Sequence, residues 1–235
     1  MPTKKSPMRE AASSSVGRKV LTGITGLGLT LFVLIHMLGN LLAFSPDETA
    51  YNVYSHKLIS LGLILYTIEV GLLALVLIHI VLGVSIYLRK KAARPIDYSR
   101  YQSAGGASRQ TISSRSMIVT GIVLGGFLVI HLLSFKFGPG MGEGYVMTVQ
   151  GEEIRDLRRL LFEKFHKPAY AFGYPAVMIL LGVHLRHGIW SALQSLGAMK
   201  PGWSPFFYTA GALLGALIAL GFLILPLWIY FGGGA

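Results

Sequence analysis

Cysteine is absent from the 235 residues. That excludes disulfides, thiolate-held iron–sulfur clusters and thioether-linked c-type haem, so any metal must be held by His, Met or carboxylate. Charge is scarce as well, at 13% Asp, Glu, Lys and Arg, where a soluble domain carries about a quarter. Acidic side chains are the rarest, 10 against 21 basic ones, for a formal net charge of +11. Apolar residues fill the space: 53% of the chain is hydrophobic and the mean hydropathy is +0.59. This is the composition of an integral membrane protein. The basic excess is placed to set membrane orientation, which argues against nucleic acid as a partner.

A helix needs about 20 apolar residues to cross a bilayer. Five stretches qualify, at about 20–44, 59–88, 117–137, 170–196 and 206–231. Lipid offers the backbone no hydrogen-bond partner, so each must be helical. The expected fold is all-α, a five-transmembrane-helix bundle forming one domain over residues 20–231 behind a polar tail, 1–19. The first apolar run is too long for a signal-peptide core and carries His36, so it is expected to be a retained span.

Lys and Arg counts orient the bundle. Lys4, Lys5, Arg9, Arg18 and Lys19 precede span one, and Arg89, Lys90, Lys91, Arg94, Arg100, Arg109 and Arg115 follow span two. On the opposite side, basic residues such as Arg155, Arg158 and Arg159 are balanced by Glu152, Glu153, Asp156 and others. The N-terminus is therefore expected in the cytoplasm and the C-terminus outside, in a multi-pass protein of the cell inner (cytoplasmic) membrane. The basic face suits anionic lipid or an acidic partner protein. The long loop 89–115, with Pro95, Tyr98, Tyr101 and Gly105-Gly106, is a candidate docking surface. Residues 152–165 place Ile154, Leu157, Leu160, Leu161 and Phe165 at helical spacing, which predicts a short amphipathic helix on the outer surface. Gly211 and Gly215 make a close-packing pattern in span five, within the bundle or between protomers.

Ionisable residues inside a span are expensive and functional by default. His36, His79, His131 and His184 each lie in a different one of the first four apolar runs. One imidazole in each of four spans is the signature of two haems, each clamped between a pair of histidines. A single membrane histidine is more often a helix–helix hydrogen bond, but four matched in depth are not explained that way. His36 lies 17 residues after Lys19 and His131 lies 16 after Arg115, roughly 25 Å from the cytoplasmic edge. His79 lies 10 residues before Arg89 and His184 lies 13 before Gly197. This predicts an outer pair, His36 with His131, and an inner pair, His79 with His184, about 10 Å apart in depth. Gly39, Gly83, Gly188 and Ser134, each within about one turn of a histidine, would leave a slot for a flat group.

His187 lies near His184 on the same face and could be the ligand in its place; His184 is nearer the membrane interior and is preferred. Arg186 and His187 are then candidates to meet haem propionates. Glu69 is the sole carboxylate within a span. Buried alone it would have a raised pKa, which suits proton exchange with a quinone; the competing reading is a structural hydrogen bond.

The chain resembles the cytochrome b subunit of succinate dehydrogenase (b558 type) and the related di-haem fumarate reductase anchors. The resemblance runs along nearly the whole chain. It is carried by His36-Met37-Leu38-Gly39-Asn40-Leu41, by Glu69 followed by His79-Ile80, and by Ala93-Arg94-Pro95. Ser114-Arg115-Ser116-Met117 and His184-Leu185-Arg186-His187-Gly188, running into Ser191-Ala192-Leu193-Gln194-Ser195-Leu196-Gly197, add to it, as do Gly221-Phe222 and Pro226. The resemblance implies a five-helix anchor of respiratory complex II holding two haem b groups, with His36, His79, His131 and His184 at the positions matching the iron ligands. It implies a flavoprotein subunit and an iron–sulfur subunit docked on the cytoplasmic side, and menaquinone as the membrane partner. The succinate chemistry of the tricarboxylic acid cycle would belong to the flavoprotein, in an enzyme that can itself be oligomeric. Two other readings compete: a di-haem subunit of a hydrogenase or formate dehydrogenase, and a proton-coupled transporter using Glu69 and the histidines as a relay.

Overall fold

The computed structural model describes residues 14–93, 112–200 and 202–233. Five helices are long and apolar enough to cross a membrane. The basic tail residues Lys4, Lys5 and Arg9, and Arg94, Arg100 and Arg109 with the rest of the candidate docking loop, lie outside the described residues.

Helix α1 runs Ser15–Asn40 and begins where the Ser14 hydroxyl accepts the Gly17 N–H at 2.9 Å, a side-chain N-cap. It tightens into a 3-10 turn over Leu41–Phe44. A separate helix follows, α2 over Ala50–Ile59, which the hydropathy pattern does not reveal. The second spanning helix, α3, is Leu63–Ala92. Its predicted start at residue 59 was too early: Ile59 closes α2, and Gly62, at φ +55°, turns the chain between the two. Left-handed backbone of that kind is open to glycine at little cost. Helix α4, Ile112–His131, passes directly into a π turn, Leu132–Lys136.

Beyond α4 the chain builds a cap over one end of the bundle. Strand β1, Val146–Val149, pairs antiparallel with β2, Glu152–Arg155, and helix α5 covers Leu157–Phe165. The amphipathic helix predicted over 152–165 therefore holds only in its second half. Its first residues are a strand, because Gln150 and Gly151 both take positive φ, 51° and 87°, in a tight hairpin turn, which is the geometry that matches strand twist. Buried Asn52 of α2 ties the cap together: its amide donates to Asp156 Oδ1 at 2.8 Å and its carbonyl accepts the Arg158 N–H at 2.8 Å. Arg155 donates to the carbonyl of Phe135 in the last turn of the π segment and to those of Gly138 and Pro139 in the loop beyond it.

Helices α6, Pro168–Ser195, and α7, Ser204–Tyr230, complete the bundle. They pack closely through small residues. A Cβ on Gly215 would lie 3.1 Å from the Arg186 nitrogen, and one on Gly211 would lie 3.2 Å from Ile189. The Gly211/Gly215 pattern thus serves contact within the bundle. One core joins Met37, Leu185, Ile189 and Ile218 between α1, α6 and α7, and a second, with Tyr51, Leu161, Phe165 and Ile229, lies under the cap. By contrast α3 buries none of its described residues. The outward faces are apolar, as at Leu63 and Val70, which lipid accepts as readily as it accepts a partner helix.

Candidate functional site

The four imidazoles carried by the first four long apolar helices meet in two pairs. His36 of α1 and His131 of α4 have ring centroids 5.8 Å apart at an interplanar angle of 81°. His79 of α3 and His184 of α6 are 6.5 Å apart at 64°. It is His184, rather than His187, that stands against His79.

The inner pair is held by hydroxyls. Thr25 Oγ1 lies 3.1 Å from His79 Nδ1, and Thr120 Oγ1 lies 2.9 Å from His184 Nδ1. Each threonine comes from the neighbouring span, α1 for His79 and α4 for His184. Each is followed by a glycine that makes room for the ring: a Cβ on Gly26 would meet His79 Cε1 at 3.1 Å, and one on Gly121 would meet His184 Cε1 at 3.6 Å. The sequence reading missed these threonines. Their signal is a repeated spacing: Thr25-Gly26 precedes His36 as Thr120-Gly121 precedes His131, by 11 residues from threonine to histidine in both. Eleven residues of helix rise about 16 Å, so within α1 and within α4 the residue that meets the inner pair stands about three turns from the outer histidine.

The outer pair is held by rings. Phe32 stacks on His36 at 5.5 Å, and Phe127 stacks on His131 at 5.9 Å. Phe222 packs on His36, and Phe135 and Tyr174 pack on His131. The Asn40 amide donates to the His36 carbonyl at 2.8 Å and lies 3.4 Å from Nε2; the second contact is too long to be more than weak. His131 Nδ1 is buried and has no hydrogen-bond partner among the described residues.

These residues fit haem. A metal–imidazole bond is about 2 Å and the ring centre lies about 1 Å beyond the nitrogen, so two axial imidazoles on one iron have centroids roughly 6 Å apart. Both pairs match that span. Among the described residues no group of three or more His, Asp or Glu forms that could hold a bare metal ion; a two-imidazole site suits a metal whose other ligands come from a macrocycle. In the inner pair Nδ1 is engaged by threonine, so Nε2 is the nitrogen that could hold a metal. Half-buried Gly83 and Gly188, one turn past His79 and His184, face open space, with no atom within 4 Å of an added Cβ. Gly39 differs from expectation: Tyr54 fills the space beside it. Ser134 is buried, with its hydroxyl 3.1 Å from Tyr170 Oη.

The remaining candidates are placed as follows. Glu69 is not alone, for it is ion-paired with Lys136 of the π turn. Arg186 donates to Tyr208 Oη at 2.8 Å on α7, and the His187 ring packs beside Trp190 at 6.0 Å. Outside the spans, His56 pairs with Glu152 at 3.2 Å and His166 packs on Phe162.

Comparison with known protein families, with curated proteins and with solved structures finds no match. The functional reading therefore rests on the geometry and on the motifs of the sequence.

Proposed function

We propose that this chain is a di-haem cytochrome b, the membrane-anchor subunit of a succinate:quinone oxidoreductase, linking an iron–sulfur partner to a membrane quinone such as menaquinone. The observation that carries the reading is the meeting of four imidazoles, one per helix, in two cross-bundle pairs at the spacing of axial haem ligands. When bound, the haems supply one-electron redox chemistry at two levels of the membrane.

The protein's own part is placement and tuning. His79 and His184 would hold one iron, and His36 and His131 the other. Thr25 and Thr120 orient the first pair, and the aromatic sleeve of Phe32, Phe127, Phe135, Tyr174 and Phe222 orients the second. Both pairs are half-buried among apolar helices, which would limit the access of water to bound haem. Arg186 and His187, one turn or less beyond His184, offer cationic or hydrogen-bonding groups to propionates. Glu69 takes the role of proton exchange with quinone. Its side chain is 30% exposed and ion-paired with Lys136, which puts the carboxylate at the edge of the bundle, within reach of a membrane-borne molecule.

The test is spectroscopic and functional. Membranes containing the chain with its partner subunits should show b-type absorption that succinate reduces and quinone reoxidises. A b-type spectrum that responds to hydrogen or formate, and not to succinate, would assign the anchor to another quinone-linked enzyme. A colourless chain would favour a proton-coupled transporter.

A further inference from the structure

We propose that Thr25 and Thr120 are positioning residues that lock both inner imidazoles in the Nδ1–H tautomer, aiming Nε2 at a metal between them. This rests on the di-haem reading. Each hydroxyl has one proton, and each has a backbone carbonyl to receive it within its own helix. Thr25 Oγ1 donates to the Leu21 carbonyl at 2.9 Å, with Thr22 O at 3.1 Å, and Thr120 Oγ1 donates to the Ser116 carbonyl at 3.0 Å, with Met117 O at 3.2 Å. That bond to the preceding turn is the ordinary habit of a helical threonine. The oxygen is then left with lone pairs alone, so toward the ring it accepts. The contacts at 3.1 Å to His79 Nδ1 and 2.9 Å to His184 Nδ1 are therefore N–H donations from imidazole. The other nitrogen of each ring, Nε2, keeps its lone pair.

The arrangement is duplicated. The segments Thr25-Gly26 to His36 and Thr120-Gly121 to His131 share spacing, and each also carries a phenylalanine four residues before its histidine. Each segment thus does two jobs. Its threonine and glycine seat the inner imidazole of a neighbouring helix, and its own histidine, backed by Phe32 or Phe127, supplies the outer pair. A hydrogen bond from the far nitrogen raises the basicity of a ligating imidazole, which favours the oxidised metal. Losing the hydroxyl acceptor should therefore raise the potential of the inner haem and leave the outer one in place.

The experiment is a redox titration, with low-temperature electron paramagnetic resonance, of the purified full chain carrying Thr25→Val, Thr120→Val, Thr25→Ser or Thr120→Ser. His79→Ala identifies the inner component by its loss. Thr30→Val is the control, since the buried Thr30 hydroxyl bonds only the Gly26 carbonyl among described contacts. The expected result is a positive midpoint shift and an altered ferric signal of the inner component in both valine variants, restored in the serine variants and absent in Thr30→Val. Loss of the inner haem alone in the valine variants, with serine retaining it, supports the same assignment. Valine variants indistinguishable from the parent, or shifts shared equally by both haems, overturn it. A parent chain without haem would instead refute the di-haem reading itself.

Discussion

The inner and outer histidine pairs solve one problem by different means. At the inner level a ring is oriented by a hydrogen bond to the next helix, His79 to Thr25 and His184 to Thr120. At the outer level it is oriented by stacking, Phe32 on His36 and Phe127 on His131, and His131 Nδ1 has no hydrogen-bond partner among the described residues. A hydroxyl fixes both the plane of an imidazole and its proton, whereas a stacked ring fixes only the plane. The difference matters because α3, which carries His79, buries none of its described residues and so has little packing with which to hold a side chain still. A polar contact does that work instead. His36 and His131 lie next to the cap, where aromatic packing is dense.

The largest effects should come from the imidazoles. His79→Ala and His131→Ala should each halve the haem content, from two to one per chain, and each should delete a different component of the reduced-minus-oxidised spectrum. Next is Asn52→Ala, which strips buried partners from Asp156 and the Arg158 N–H. A cost of about 1–3 kcal/mol is expected, read as earlier thermal loss of the outer component. Gly26→Ala and Gly121→Ala should then separate by degree. The first presses on His79 at 3.1 Å and should disturb the inner signal, while the second, at 3.6 Å, is an ordinary contact and should leave it nearly unchanged. Phe127→Leu removes a stacking partner worth about 0.5–1.5 kcal/mol, and it should broaden the outer signal while sparing the inner.

The smallest effect lies in the cap. The Tyr145 hydroxyl, at 2.6 Å, and the Arg159 guanidinium, at 2.8 Å, hold the Glu163 carboxyl below its usual range. A depressed acid stabilises the fold above the ordinary carboxylate range, and that contribution is lost as pH falls through the folded value. The protection factors of amides in the β1–β2 hairpin and α5, taken against the intrinsic rate at each pH, should therefore fall in acid, with the dependence weakened in Glu163→Gln.

Much of this was legible in the sequence. Apolar length alone marks five spans, and counting residues sorts four histidines into two levels, because a membrane leaves helix as the only spanning state available to such runs. The cap was less legible, for physical reasons. Ala50–Ile59 is short and only weakly amphipathic, and Glu152–Arg155 becomes a strand only through its pairing with Val146–Val149. Thr25 and Thr120 were overlooked because a helical threonine is usually satisfied by its own backbone. Only the second contact, made across the bundle, sets them apart. Gly39 misled in the opposite direction: its small size accommodates Tyr54.

The most direct measurement is the haem-to-protein ratio of the purified chain, taken with its reduced-minus-oxidised spectrum. Two b-type haems per chain, resolved as two redox components, are predicted. A folded chain that purifies without haem would contradict the account.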